Sequence, residues 1–283
     1  MSQNQALMPI RTRGDKPPLF CVHGEPLQIA FRIRADRPLY GVSLLYHPDL
    51  GRKCLELPST IEQYAAVYID AVKSVQPSGP YHICGYSAGG MIAFEMTRQL
   101  QAAGEEVGHL VLVEPTVAIG GLAEQAQARS QAKNQRRVSR YWTALIESEN
   151  RLQTLNANLC HLFGAQAARV KKYRDKFLTR LYRALDKRLP EGLRWFALIK
   201  CLRPVIQTYA YEPFDCHGTL IYAALTDEQK SAWIESWQYM MNGGATLVSI
   251  PQAVEHLDLM EDPALGQVVE ILDRSVGSST ASP

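Results

Sequence analysis

A serine flanked by two glycines, where two apolar segments meet, is the first feature of the sequence that could do chemistry. Ser87 stands in Gly-Tyr-Ser-Ala-Gly, after the β-rich run 81–87 and before a helical pattern over 88–103. A strand, a sharp turn and a helix in this order form a nucleophile elbow, in which small neighbours let the strand and helix approach closely. A glycine-rich turn without chemistry has the same local pattern, so a nucleophilic serine needs partners elsewhere in the chain.

The first partner would be a base, because a serine hydroxyl attacks well only when a histidine, oriented by a carboxylate, takes its proton. In the chain order of α/β-hydrolases this histidine follows the last strand. Of the seven histidines, only His256 follows the last strand-like run, at 245–251. We therefore predict His256 as the base; the alternative is a surface-loop histidine without a catalytic role.

Two carboxylates compete to orient that histidine. Glu114 lies near the end of the run 109–115, and Asp227 directly follows the run 218–226. The carboxyl ends of parallel strands meet at one edge of a sheet, so either side chain could reach the imidazole. A carboxylate at the end of an apolar strand is costly without a partner, which favours Glu114. Asp227 could instead cap the following helix, and it stays the alternative acid.

Strand-like and helix-like segments alternate along the chain and would position these residues. The β-rich runs are 18–24, 39–45, 81–87, 109–115, 218–226 and 245–251, and the helical patterns are 60–75, 88–103, 228–240 and 263–274. Continuously apolar strands separated by helices are typical of a parallel sheet covered on both faces. We therefore predict an α/β fold with a mostly parallel, doubly wound sheet.

The alternation stops once, after Pro115, in a long segment without strand signals. We expect residues 117–205 to form a helical lid inserted into an α/β-hydrolase core made of residues 1–116 and 206–283. One stretch of the lid has leucines at helical spacing with basic residues opposite, which predicts a helix lying over the core or a cleft. These leucines are Leu178, Leu181, Leu185 and Leu189.

Charge is divided unevenly between these parts. The net charge is +2, but residues 117–205 hold 18 Lys and Arg against 6 Asp and Glu, a net +12, so the rest carries −10. Such blocks bear on partners, and a basic lid would attract an anionic partner. The alternative is that the charges only solvate exposed helix faces. No nucleic-acid-binding motif accompanies them, so nucleic acid is not an expected partner.

Composition excludes several other classes of protein. There is no apolar segment near the N-terminus and no run of about 18 uncharged apolar residues, so we expect a cytoplasmic protein without a membrane partner. The six cysteines form no C-x-x-C pair, and three lie inside apolar runs. This pattern predicts neither disulfides nor a zinc site, and the serine chemistry above requires no metal or redox cofactor.

With these residues in place, the chain resembles thioesterase domains of the α/β-hydrolase superfamily that end, or work beside, polyketide and nonribosomal peptide synthases in secondary metabolite biosynthesis. The resemblance covers nearly the whole chain and is carried most specifically by 79–107, "GPYHICGYSAGGMIAFEMTRQLQAAGEEV", with "HLVLVEP" at 109–115 and "EHLDLMEDP" at 255–263. It implies that an acyl or peptidyl chain arrives on the phosphopantetheine arm of a carrier protein, transfers to Ser87, and leaves by hydrolysis or cyclisation.

The resemblance also implies an oxyanion hole beside Ser87. One donor would be the backbone N–H of Ala88, and the other would come from the loop at Gly24 and Glu25. Tyr86, next to the nucleophile, is the remaining substrate-binding candidate. Loss of one oxyanion donor costs about 10²- to 10³-fold in rate, so this loop matters for activity.

The sequence departs from the family pattern in two places. Family members usually have Asp where Glu114 stands, although related hydrolases use Glu there, and stand-alone editing thioesterases place their acid at the later strand, where Asp227 lies. Only 12 residues separate Gly24 from Arg37, where the family normally has a glycine-containing loop and a full helix. We therefore keep two further functions open, an esterase or acyltransferase on small free substrates and a weakly active binding protein.

Overall fold

The computed structural model describes residues 6–23, 32–34, 36–53, 55–115, 173–223, 227–253 and 256–277. The strands are β1 (Leu7–Arg11), β2 (Leu19–Val22), β3 (Leu39–Val42), β4 (Tyr81–Tyr86), β5 (Val107–Val113), β6 (Gly218–Ala223) and β7 (Ala245–Ile250). The helices are α1 (Ile61–Lys73), α2 (Ala88–Ala102), α3 (173–184), α4 (Glu191–Thr208), α5 (Asp227–Met240) and α6 (Ala264–Gly277), with short 3-10 helices at Leu44–Tyr46 and His256–Met260. None of the helices described is long and apolar enough to cross a membrane.

The strands form one sheet in the order β1-β3-β2-β4-β5-β6-β7, in which β2 to β7 are parallel. Each of these parallel strands falls within or overlaps one of the six β-rich runs, and from β3 onward the described segments between them contain helices. The mostly parallel, doubly wound α/β sheet predicted from the sequence is therefore confirmed. Because the six strands are parallel, their last residues lie at one edge of the sheet, called the carboxyl edge below.

The sheet has one strand that the sequence reading missed. β1 pairs antiparallel with β3 at the edge of the sheet, and its register shifts between Pro9 and Arg11. Proline has no N–H to donate to a ladder and is tolerated mainly at sheet edges. Leu7, Met8 and Ile10 are apolar, but the proline among them argued against a strand in a short run that ends in arginine.

Two hydrophobic clusters lie on the two faces of the sheet. One contains buried side chains from α1, α2 and α4, and the other is covered mainly by α6. Successive residues of β4 alternate between them, since Ile83 belongs to the first and Cys84 to the second. The Sγ atoms of Cys84 and Cys21 lie 3.3 Å apart as free thiols in the second cluster.

The leucine stripe predicted for the lid is wrong in part. Leu178 packs against a small cluster that includes Leu189, which is buried. Leu181 and Leu185, however, are 39% and 56% exposed. The helix ends at 184 and the chain then turns through Asp186, which has a φ of 50°, so the helical spacing does not continue to Leu185 and Leu189.

Helix α4 connects the lid sequence to the core. It continues to Thr208, past the predicted boundary at 205, and its Leu198 and Leu202 are fully buried in the first hydrophobic cluster. Tyr209, which follows it, donates a hydrogen bond to the buried carboxylate of Glu95 on α2, at 2.7 Å. The division into core and lid at these exact residues stays a prediction.

Buried histidines make the stability of this fold depend on pH. Burial lowers the pKa of His23 to about 4, and burial, with Arg37 and His109 nearby, lowers that of His82 to about 4. In the unfolded chain a histidine takes up its proton near pH 6.5. Between about pH 4 and pH 6.5 the unfolded state therefore binds more protons than the folded state. The free energy of unfolding should therefore fall as the pH drops from 7 to 5, by about 2 kcal/mol for each histidine.

His82 allows this prediction to be tested. Neither of its ring nitrogens has a hydrogen-bond partner in the described part of the chain, so His82→Leu removes the titration without breaking a bond. Denaturant unfolding at pH 7 and pH 5 should show that the variant loses about 2 kcal/mol less than the wild-type protein. Equal losses in the two proteins would show that His82 does not titrate in this way.

Candidate active site

Ser87 occupies a sharp turn between β4 and α2. Its φ of 54° and ψ of −121° fall in a region that residues other than glycine seldom occupy. Its N–H donates to the carbonyl of Val113 at 3.0 Å, and its carbonyl accepts from the N–H of Gly90 at 3.0 Å. These bonds hold the strained serine between the end of β5 and the first turn of the helix, which is the backbone geometry of a nucleophile elbow.

The glycines on either side of Ser87 are required by close backbone approach. A Cβ atom at Gly85 would lie 2.3 Å from the carbonyl oxygen of Gly89, and one at Gly89 would lie 2.3 Å from that of Val22. Real side chains do not make such contacts, so the first turn of α2 would have to move away from β4 and β2. Both glycines of the motif are therefore needed to seat the helix behind the serine.

Gly85→Ala should accordingly displace the elbow and destabilise the fold by about 3 kcal/mol. Gly192→Ala, in the first turn of α4, is the matched control, because a Cβ atom there meets nothing within 4 Å. Alanine is a better helix former than glycine, so the control should be neutral or slightly stabilising. Thermal unfolding of the two variants tests the difference, and equal melting temperatures would contradict the close approach.

The first turn of α2 also provides hydrogen-bond donors next to Ser87. Ala88 is the first residue of the helix. N–H groups in the first turn of a helix have no carbonyl one turn earlier to bond, and they carry the positive end of the helix dipole. The position of Ala88 is compatible with the predicted oxyanion donor, and this role of its N–H stays a prediction. The other predicted contributors to the oxyanion hole, Gly24 and Glu25, lie outside the described residues.

Glu114 follows β5 directly, on the strand next to Ser87. Because Ser87 bonds the carbonyl of Val113, the residue before Glu114, the backbones of nucleophile and candidate acid are tied together at the carboxyl edge. Glu114 has a φ of 40°, an uncommon left-handed conformation, and its N–H donates to the carbonyl of Ile221 in β6 at 2.7 Å. Glu114 is partly exposed at the carboxyl edge, between the buried residues Val113 and Pro115.

For Asp227 and His256 the structure describes the backbone but not the side chains. Asp227 is the first residue of α5, after the carboxyl end of β6. His256 begins the 3-10 helix that follows β7, and this element packs against β6 and α6. Both residues thus follow strands that end at the carboxyl edge. Their participation with Ser87 stays a prediction.

Tyr86 is 3% exposed and packs in the cluster covered by α6. Its side chain therefore supports the elbow from within the core. A contact between Tyr86 and substrate stays a prediction.

A buried pair at the end of β2, His23 and Tyr68, was missed by the sequence reading. His23 has a φ of 73°, and its Nε2 lies 3.3 Å from the hydroxyl of Tyr68, which also accepts from the N–H of Leu44 at 3.2 Å. With its pKa lowered to about 4 by burial, His23 is neutral near pH 7. The pair fixes the point at which the chain leaves β2 toward Gly24. The only sequence signal was the His-Gly dipeptide, since Tyr68 looks like an ordinary core residue.

A buried carboxylate on the nucleophile helix was also missed. Glu95 accepts hydrogen bonds from Arg98, Gln99 and Tyr209, with donor distances of 2.7 to 2.8 Å. Burial alone would raise the pKa of Glu95, but these donors outweigh it and lower the pKa below its ordinary value. Glu95 thereby joins α2, which begins next to Ser87, to the chain that returns from α4.

The described residues contain no cluster of histidine, cysteine, aspartate or glutamate suited to hold a metal ion. The chemistry that can be derived from this geometry is that of a serine at a helix N-terminus, with a carboxylate on the neighbouring strand.

Comparison with known proteins adds a family to this geometry. A family model described as "Thioesterase domain" matches residues 28–276. The chain is 44% identical over 114 residues to a dimodular nonribosomal peptide synthase of Bacillus subtilis (strain 168), a match covering 38% of this chain and 5% of the relative. It is 37% identical over 113 residues to polyketide synthase PksR of the same organism, covering 38% and 4%. The chain thus spans a small fraction of the length of these curated relatives.

Among solved structures, the fold is similar to the NocB thioesterase domain in covalent complex with a fluorophosphonate nocardicin G analog. The TM-score is 0.60 at 18% identity, and the match covers 96% of this chain and 100% of that one. At this level of identity the likeness concerns the fold.

Proposed function

Because this chain belongs to the thioesterase domain family, we propose that it releases an acyl or peptidyl chain from the phosphopantetheine arm of a carrier protein through an acyl-enzyme on Ser87. The observation that carries the proposal is the strained backbone of Ser87 at the start of α2, tied to the end of β5. Such strain persists only where surrounding structure enforces it, and it presents the hydroxyl at the carboxyl edge. Release ends in hydrolysis or cyclisation.

In the proposed reaction His256 removes the proton of Ser87 Oγ as the oxygen attacks the thioester carbonyl. The tetrahedral intermediate collapses with cleavage of the carbon–sulfur bond, and His256 returns the proton to the departing pantetheine thiol. Water, or a hydroxyl or amine of the chain itself, then gives its proton to His256 and attacks the acyl-enzyme. The second collapse restores Ser87 and releases a free acid or a cyclic product.

The oxyanion formed in each step needs donors that are already in place. Ala88 supplies a backbone N–H at the N-terminus of α2, where the helix dipole adds to its effect. We propose that the segment at Gly24 and Glu25 supplies the second donor. The buried pair of His23 and Tyr68 supports this role, because it anchors the residue that precedes the segment.

We propose Glu114 as the acid that orients His256. Its support is the bond between Ser87 and Val113, which sets the Glu114 turn beside the nucleophile. Asp227, one strand further along the sheet at the start of α5, remains the alternative acid.

The proposed partner is an acyl or peptidyl carrier protein, or acyl-coenzyme A as a free donor. Support comes from the net charge of +12 in residues 117–205 and from the exposed cations of α3 and α4, since both donors are anionic. Electrostatic steering raises association rates and weakens with salt. Raising the ionic strength from 0.05 to 0.5 M should lower kcat/KM for a carrier-bound thioester by about tenfold. An uncharged N-acetylcysteamine thioester is the control, and parallel losses for both substrates would remove the steering.

The function is tested by comparing three forms of one acyl group: bound to a carrier protein, as an N-acetylcysteamine thioester, and as an ethyl ester. A carrier-dependent thioesterase should show the highest kcat/KM for the first and the lowest for the ester. Preference for the ester would make the protein an esterase. Binding without turnover of any form would indicate a hydrolase-fold binding protein.

A further inference from the structure

A cavity of about 1050 Å³ lies between the segment 50–59, the start of α1 and the two helices α3 and α4. It is called the basic cavity here because five cations line it: Arg52, Lys53, Arg180, Arg183 and Lys200. Glu56 is the one anionic residue among its described lining residues. None of the catalytic candidates named above belongs to this lining.

The cations of the basic cavity differ in whether they form ion pairs with carboxylates of the described residues. Arg52 pairs with Asp49 at 3.0 Å and with Asp186 at 3.1 Å. Arg180, Arg183 and Lys200 are exposed and make no ion pair with any residue that the structure describes. Three cations from two helices thus line one cavity without an ion pair to any residue in the described part of the chain. Like charges gathered in this way repel each other until an anion binds between them.

The wall of the basic cavity also has an apolar part, beside the polar side chains of Ser59, Gln63 and Thr179. Leu50, Leu55, Leu57, Ala197 and Val205 contribute to its lining beside the cations. A small hydrated ion gains nothing from such a wall, whereas an organic anion can bury its hydrocarbon part there and leave its charge beside the arginines. The lining therefore fits a carboxylate or a phosphate carried on an apolar body.

The wall of the cavity starts at the edge of the sheet that holds Ser87. The segment 50–59 follows shortly after β3 and its 3-10 helix, and Leu44 in that helix bonds Tyr68, the partner of His23. His23 in turn lies against the first turn of α2. A Cβ atom added at Gly89 in that turn would lie 3.0 Å from the Cβ atom of His23. These contacts join the 3-10 helix that precedes the segment 50–59 to the first turn of α2.

We propose that the basic cavity binds a carboxylate or phosphate group carried on an apolar chain. Its source rests on the proposed function: either the distal end of the acyl or peptidyl chain being released, or the phosphate of the phosphopantetheine arm. Recognition is the same in both cases, with Arg180, Arg183 and Lys200 binding the anion and the leucines contacting the hydrocarbon. In the first case, the chain released by this enzyme bears an acidic group.

The test is binding of small probes to the full chain, measured by calorimetry without turnover. Octanoate and octyl phosphate should bind about tenfold more tightly than uncharged octanamide, and the variant R183Q/K200Q should lose most of this preference. R203Q is the matched control, because Arg203 is exposed on α4 but does not line the cavity. Its affinity for octanoate should equal that of the wild type. Equal binding of octanoate and octanamide, or an unchanged preference in R183Q/K200Q, would overturn the proposal.

A second variant keeps the test independent of the folding of the first. Arg180 is a further lining cation of α3, and R180Q should weaken octanoate binding by about threefold on its own. Wild-type affinity in R180Q, whether or not R183Q/K200Q folds, would count against the cavity.

The two sources of the anion are separated by phosphopantetheine and pantetheine. Phosphopantetheine that displaces octanoate, when pantetheine does not, assigns the cavity to the carrier arm. Displacement by neither assigns it to the acyl chain. Every readout in this test is binding, so its outcome does not depend on turnover. A protein without thioesterase activity can still confirm anion binding in the basic cavity, and an active thioesterase can still show no such binding.

Discussion

Ser87→Ala is expected to abolish thioester turnover, with kcat falling by about 10⁴-fold or more. The change removes the oxygen that would form the acyl-enzyme and leaves the backbone bonds to Val113 and Gly90, which do not involve the side chain. Single-turnover kinetics with an N-acetylcysteamine thioester measures the loss. The melting temperature should stay close to that of the wild type, because an alanine occupies this turn with about the same strain.

The matched control for this variant is Ser78→Ala. Ser78 is an exposed serine in the segment before β4, and the carbonyl that it offers to Gln76 is retained in the variant. It should keep wild-type kinetics. Turnover in Ser87→Ala within tenfold of the Ser78→Ala value would show that another group carries the reaction.

The second large effect concerns the acid. Glu114→Gln should lower kcat by about 10³- to 10⁴-fold, because an amide cannot stabilise the imidazolium that His256 becomes in the transition state. Asp227→Asn should stay within about threefold of the wild type. The same assay at saturating thioester measures both variants.

The two substitutions are matched in size and charge, so they control for each other. The opposite result, with Asp227→Asn the inactive variant, would assign the acid to the later strand and leave Glu114 with a structural role in its strained turn. Equal and small effects in both would contradict a triad built on either carboxylate.

The sequence could predict the parts of the site that local patterns encode. Gly85, Ser87 and Gly89 have the spacing that one sharp strand-to-helix turn requires. The apolar runs on either side of this turn identify β4 and α2 without reference to the rest of the chain. The parallel sheet follows from the same kind of signal, since buried strands are continuously apolar. For this reason the order of strands and helices agrees closely with the structure.

The parts that the sequence could not predict depend on contacts between distant segments. Tyr68 and His23 are 45 residues apart, and nothing near Tyr68 shows that its hydroxyl meets a histidine. Glu95 lies 114 residues before Tyr209, its hydrogen-bond partner, and reads locally as a surface position on a helix. The basic cavity likewise brings Lys53 together with Arg183 and Lys200, which only the packing of α3 and α4 places side by side.

The wrong prediction of a leucine stripe at 178–189 has a related cause. Leu185 continues a helical spacing in the sequence, but the helix ends at 184 and the next residues turn away. Leu181 lies within the helix and is 39% exposed. Periodicity shows where side chains would lie if the helix continued, and here a left-handed residue, Asp186, ends it. The edge strand β1 was missed because Pro9 interrupts its short run, and only pairing with β3 at the edge of the sheet makes this run a strand.

Intact-protein mass spectrometry after mixing with acyl-pantetheine thioesters tests most directly whether Ser87 carries the acyl chain. The account predicts an increase in mass equal to one acyl group, mapped by peptide digestion to Ser87, that decays as free acid or cyclic product appears and is missing from Ser87→Ala. Release of product with the adduct on another residue, or the same adduct in Ser87→Ala, would contradict the nucleophile assigned here.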